Sequence, residues 1–99
     1  MILEVAILDV KPEQRQDFEA AFAQAQAIIA ATEGYRGHAL KRCIEKQARY
    51  ILLVQWETLE AHTQGFRASA EYQQWKALLH HYYEPFPTVE HYENVGLES

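Results

Sequence analysis

The chain has no excess of positive charge, one cysteine and no long apolar run, and each shortage removes a class of function. Nine Lys and Arg stand against fourteen Asp and Glu, a formal net charge of −5. Without a basic footprint, nucleic acid and anionic membrane surfaces are not expected partners. The lone Cys43 cannot form an intrachain disulfide and supplies no paired-thiolate metal set. No stretch reaches the roughly 20 apolar residues of a membrane span. The opening "MILEVAILDV" is apolar but carries Glu4 and Asp9, and it lacks the basic start and small-residue cleavage site of a secretory leader. A cytoplasmic protein is the expectation. No repeat, linker or low-complexity segment divides the chain, and residues 1–99 are read as one domain.

What is present is regular patterning. Residues 2–10 are β-branched and aliphatic and stop before Lys11-Pro12, as a strand does. Pro12 suits the first turn of a helix, with Glu13 and Asp17 near its positive end. Phe18, Phe22, Ala25, Ile29 and Thr32 then recur at spacings of four and three, one buried helical stripe that Gly34 ends. Residues 35–45 read as a more polar strand, and 49–57, "RYILLVQWE", as the clearest strand. Two helical pieces follow, capped by Thr58 and Ser69, until Pro85 and Pro87 intervene. "TVEHYENV" reads as a last strand. The fold class expected is α+β, a ferredoxin-like β-α-β-β-α-(α)-β with an antiparallel sheet.

Both faces of the leading strands are apolar. Leu3, Val5 and Ile7 share one face of the first, and Ile2, Ala6, Leu8 and Val10 the other. Around residue 52, Tyr50, Leu52, Val54 and Trp56 oppose Ile51 and Leu53. A sheet with one wet face alternates apolar with polar residues, and these strands do not. Helices cover only one face of such a unit. The expected cover for the other is the sheet of a second copy, in a homodimer packed face to face.

"RYILLVQWETLEAHTQGFRASAEYQQW" resembles the strand–helix signature of the antibiotic biosynthesis monooxygenase family. The "KPEQRQDFEAAF" start, the "EGY" after the first helix and the closing "VEHYENV" extend the likeness over nearly the whole chain. The resemblance implies a dimeric α+β barrel with a pocket in each subunit between helices and sheet. It also implies cofactor-free oxygenation of quinols and phenolic polyketides, or oxidative haem breakdown. Haem-degrading members use an Asn in the first strand and a Trp and a His on the later helices. Here residues 1–10 lack Asn, and the two later positions fall near Phe66 and near Trp75 or Lys76. Haem degradation is therefore not expected. Quinol-oxidising members carry a His near Phe66 that this chain lacks. The Pro usual before Gly-Tyr is Glu33, a change that bears on helix termination.

Among five histidines, His62 holds most interest, because it lies six residues past Trp56 on the first turns leaving a strand end. A neutral imidazole there can take a proton from a phenol or quinol, whose anion gives an electron to oxygen more readily. The competing reading is a buried His with one structural hydrogen bond. Trp56, Phe66, Tyr72 and Trp75 suit a wall for a flat ring ligand, against the plainer alternative of core packing. His91 is a second-rank pocket candidate. Arg67 is read as pairing with Glu71 one turn along rather than holding a ligand anion. His80 and His81 diverge by about 100° on a helix and are read as solvated flank residues.

The chain has no glycine-rich nucleotide loop, no nucleophile–base pair and no zinc spacing. No cofactor and no metal are expected, so substrate and O2 must supply most of any chemistry. Two functions stay open: a cofactor-independent monooxygenase of a small phenolic or quinol-type aromatic, and a non-catalytic dimeric module that binds a small apolar aromatic.

Overall fold

The computed structural model describes residues 1–98. β1 spans Ile2–Asp9, α1 Arg15–Ala30, β2 Tyr35–Arg42, β3 Arg49–Trp56, α2 Ala70–Leu79 and β4 Val89–Glu93. The strands form one antiparallel sheet in the order β2-β3-β1-β4, which is the ferredoxin-like arrangement. β1 and β3 pair along their whole length, Ile2 opposite Trp56 through Asp9 opposite Arg49. In the same register β4 sets His91 opposite Glu4.

α1 buries Phe18, Phe22, Ala25 and Ile29, the stripe its spacing predicts. Pro12–Gln14 form a separate 3-10 turn ahead of it. β2 stops at Arg42, short of residue 45, because Cys43 N–H already turns back to the Arg49 carbonyl. Thr58 and Ser69 cap as expected: Ala61 N–H donates to Thr58 Oγ1, and Tyr72 N–H to Ser69 Oγ. The first helical piece is a π-helical turn at Ala61–Phe66, closed by the Arg67 N–H donating to the His62 carbonyl five residues back. After α2 a 3-10 turn at His80–Tyr82 leads into an extended segment held on the end of β1. Lys11 N–H donates to the Tyr82 carbonyl, and Glu84 N–H to that of Asp9. β4 is five residues, shorter than residues 88–95.

The helices cover one face of the sheet. Ala6, Leu8, Val10, Tyr50, Leu52, Val54 and Trp56 are buried there against Phe18, Phe22, Ile29, Trp75 and Leu79. Leu3, Val5, Ile7, Ile51 and Leu53 lie on the other face and keep part of their surface accessible. Among the described residues no helix is long and apolar enough to cross a membrane.

Candidate functional site

Between the helices and the sheet lies a cavity of about 340 Å³. Its floor is β1 and β3 through Glu4, Ala6, Leu8 and Leu52, and its walls come from the π-turn, α2 and the strap to β4. Such a volume lies at the small end of ordinary ligand pockets, with mostly apolar walls and few polar groups. Tyr83, Phe86, Pro87 and Val89 close one side, because the 82–84 backbone bonds pin the strap across the end of β1.

The polar side of the cavity is built on β1. Even-numbered residues of this strand face the helices, so Glu4 is carried into the core beside Ala6 and Leu8. Only 6 % of its surface is exposed. Its Oε1 accepts the indole N–H of Trp56 at 3.0 Å and lies 3.3 Å from His62 Nε2. His62 is 4 % exposed, and its other nitrogen, Nδ1, lies 2.8 Å from His91 Nε2. The three side chains thus form one line, Glu4–His62–His91, from the cavity floor to the partly exposed β4.

Electrostatics set the protonation of this line. Burial holds the Glu4 carboxyl above the usual carboxylate range, against the lowering effects of the Trp56 hydrogen bond and of Arg67. Burial, with the charges of Arg67 and His91, pushes His62 down to about 3, so its imidazole is neutral near pH 7. Burial and Arg67 also lower His91. Glu4 Oε1 and the neutral His62 ring therefore lie in close polar contact, not as an ion pair.

Of the residues singled out in the sequence, His62, Phe66, Tyr72 and Trp75 line the cavity. The π-turn directs both His62 and Phe66 inward, and Phe66 stands edge-on to Tyr72 and Trp75 with ring centres 5.3 and 5.7 Å away. Trp56 does not line it. Fully buried, it lies behind His62 with the rings nearly parallel at 5.2 Å, so it presents no face to a ligand. His91 also stands outside the wall and reaches the cavity only through His62.

Two expectations need correction. Arg67 forms no ion pair with Glu71 or any other acid among the described residues; it lines the cavity as a cation. The i, i+4 relation fails because the π-turn and Ser69 cap separate the two residues. His80 is not solvated: the 3-10 turn at the end of α2 rotates it against Tyr72, Tyr83 and Phe86, and it too lines the cavity. Its Nδ1 is buried with no partner, a group to which a ligand's polar atom can bond. His81 is exposed.

Glu4 is the residue that sequence reasoning missed. Its signal was available: a carboxylate in phase with Ala6, Leu8 and Val10 on the core face of a strand. Among the described residues no three His, Cys, Asp or Glu converge to hold a metal ion. In the Glu4–His62–His91 line, each imidazole nitrogen of His62 faces a different partner.

The model of the family described as antibiotic biosynthesis monooxygenase matches residues 1–78, so the chain belongs to that family. The uncharacterized protein YczJ of Bacillus subtilis (strain 168) is 56% identical over 95 residues, 96% of this chain and 100% of its own. A Bordetella bronchiseptica structure, described as that of an antibiotic biosynthesis monooxygenase assigned by likeness, is 40% identical. It superposes with a TM-score of 0.91 over 95% of this chain and 96% of that one. SnoaB, a cofactor-independent oxygenase from Streptomyces nogalater, shares the fold at 22% identity and a TM-score of 0.76, over 98% and 97% of the two chains.

Proposed function

We propose that this protein is a cofactor-independent monooxygenase of a small phenolic or quinol-type aromatic, working in the cytoplasm as a single-domain subunit. The observation that carries the reading is the cavity itself. An aromatic-walled space of about 340 Å³ has one polar side made by Glu4 and His62, and a cation, Arg67, that makes no ion pair among the described residues. A phenol fits those features: its ring lies along Phe66, Tyr72 and Trp75, and its oxygen meets the polar side.

The chemistry asked of the protein is small. Removing the phenol proton by way of His62 gives a phenolate, whose charge Arg67 stabilises. The phenolate passes one electron to O2, and the resulting radical pair joins at a hydrogen-bearing ring carbon ortho or para to the oxygen. Loss of water from that peroxide leaves a quinone. Overall the phenol loses its O–H and one C–H hydrogen and gains one oxygen, and the second oxygen atom leaves as water. No external electron donor is consumed.

The same reading includes a homodimer. The open sheet face presents Val5 opposite Leu53 and Ile7 opposite Ile51, a continuous apolar strip that a second copy would cover.

Oxygen uptake by purified, chelator-treated protein with a panel of hydroquinones and polycyclic phenols tests this function. Uptake is expected to require the protein and to fall by about 10²-fold or more in His62→Gln. No uptake across the panel, with the same compounds raising the melting temperature, contradicts it and identifies a binding module instead.

A further inference from the structure

His62 cannot by itself be the resting place of a substrate proton, because its imidazole is held far below neutrality. The carboxylate next to it is better suited. Glu4 lines the cavity, and both of its contacts, from Trp56 and His62, fall on Oε1, so that Oε2 makes no hydrogen bond among the described residues. On the far side His91 sits at the edge strand β4, partly exposed, with its Nε2 against His62.

We propose that Glu4 is the group that takes the proton from the bound phenol, and that His62 and His91 form a relay connecting Glu4 to solvent. This rests on the reading of the cavity as a phenol site. When the phenol ionises, its O–H bond breaks and an O–H bond forms at Glu4. The negative charge moves from Glu4 to the phenolate, beside Arg67, so the net charge of the cavity does not change. A buried site tolerates such a transfer far better than the creation of a new charge.

The two contacts serve both states of Glu4. With the carboxylate, His62 Nε2–H donates to Glu4 and His91 Nε2–H donates to His62 Nδ1. With the acid, the Glu4 O–H donates to His62 Nε2, and His62 Nδ1–H donates to His91. The states differ by one proton, passed along both contacts and exchanged with water at His91. The 2.8 Å His62–His91 contact is already a hydrogen bond, and the 3.3 Å gap to Glu4 closes when the Glu4 carboxyl turns, which also brings a proton taken on Oε2 to face His62. His62 carries the proton only in transit, which agrees with a neutral imidazole on both sides of the exchange. The other titratable groups on the cavity are Arg67, from beyond the π-turn, the phenol rings of Tyr72 and Tyr83, and His80 at the end of α2, whose buried Nδ1 has no partner. Arg67 is a cation and burial drives Tyr83 up; His80 is the competing base, lowered by burial and by Lys76, and ionisation that survives in Glu4→Gln would point to it.

4-Nitrophenol tests the relay, because its absorbance tells phenol from phenolate and an indicator dye follows the proton into solvent. Wild-type protein should bind it as phenolate at a pH where free probe is mostly phenol. Glu4→Gln keeps an acceptor for the Trp56 N–H but has no base, and should bind the probe as phenol, with at least a tenfold lower phenolate fraction. His91→Ala should still ionise the probe but deliver the proton to solvent at least tenfold more slowly, and added imidazole should restore the rate. A merely structural His91 would show no such rescue. Ionisation unchanged in Glu4→Gln, release unchanged in His91→Ala, or no ionisation by wild type would each overturn the relay. Ionisation in wild type without oxygen uptake would keep the relay and remove the oxygenase reading.

Discussion

A buried imidazole that stays neutral ties the stability of the fold to pH. The unfolded chain protonates His62 near 6.5, whereas the folded one holds it down to about 3. Between these values the unfolded state binds more protons, so stability falls as pH drops from 6.5 toward 3 and is flat above. Glu4 acts in the opposite sense: its raised carboxyl keeps a proton in the fold above 4.5, and its own contribution declines as pH rises through that window. Urea unfolding at a series of pH values should show wild type losing a few kcal/mol across the His62 window. His62→Gln should lose most of that slope, and an unchanged slope would place the acid sensitivity elsewhere. Trp56 supplies the one indole bond to Glu4, so Trp56→Phe should cost about 1–3 kcal/mol in the same assay by leaving the carboxyl short of a donor. At this scale the sequence was partly legible. His62, Phe66, Tyr72 and Trp75 announced themselves as aromatic or titratable groups after a strand. Glu4 did not, because a lone carboxylate in an apolar run shows its burial only once the phase of the strand is fixed. The pairing of His91 with His62 depends on β4 lying beside β1, which no local pattern states.

Elements position the site through one close approach. Gly34 follows α1 with φ of +90°, and its carbonyl accepts from Glu57 N–H at 2.8 Å. A Cβ there would stand 2.6 Å from the Cβ of Ala61, the first residue of the π-turn. Gly34→Ala should therefore cost roughly 2 kcal/mol or more, from the left-handed backbone alone about 1–2 kcal/mol. A thermal melt should show a drop of about 10 °C. A drop under a few degrees would mean that the π-turn gives way freely. Strand and helix existence was legible here, since alternation in β1 and β3 and the stripe of α1 are long and regular. Element ends were not. β2 stops early because a turn captures Cys43, and the π-turn reads as ordinary helix because nothing in its sequence, "AHTQGF", marks the wider i→i+5 turn. The π-turn hid the role of Arg67 and the 3-10 turn after α2 that of His80: both were assigned by helical spacing, and both lie where the helix is irregular.

On the scale of the whole molecule, the sheet has one face sealed by helices and one apolar face left open. Full burial of an aliphatic side chain is worth about 1.5–3 kcal/mol, so the strip through Val5, Ile7, Ile51 and Leu53 is strongly favourable to cover. Val5→Lys with Leu53→Lys should convert a dimer to monomers in sedimentation equilibrium while the far-ultraviolet circular dichroism persists. A wild type that sediments as a monomer would contradict the dimer directly. Apolar character on both faces of β1 and β3 was visible in the sequence; the partner was an inference from it.

Under the proposed function, one atom of O2 enters an aromatic bound in the helix–sheet cavity. Turnover of a phenol under ¹⁸O2 by chelator-treated protein, with the quinone read by mass spectrometry, tests it most directly. One labelled oxygen per quinone is expected, with unlabelled product when the label is in water instead, and loss of product in Glu4→Gln and His62→Gln. Unlabelled quinone under ¹⁸O2, or product formed equally well by both variants, would contradict it.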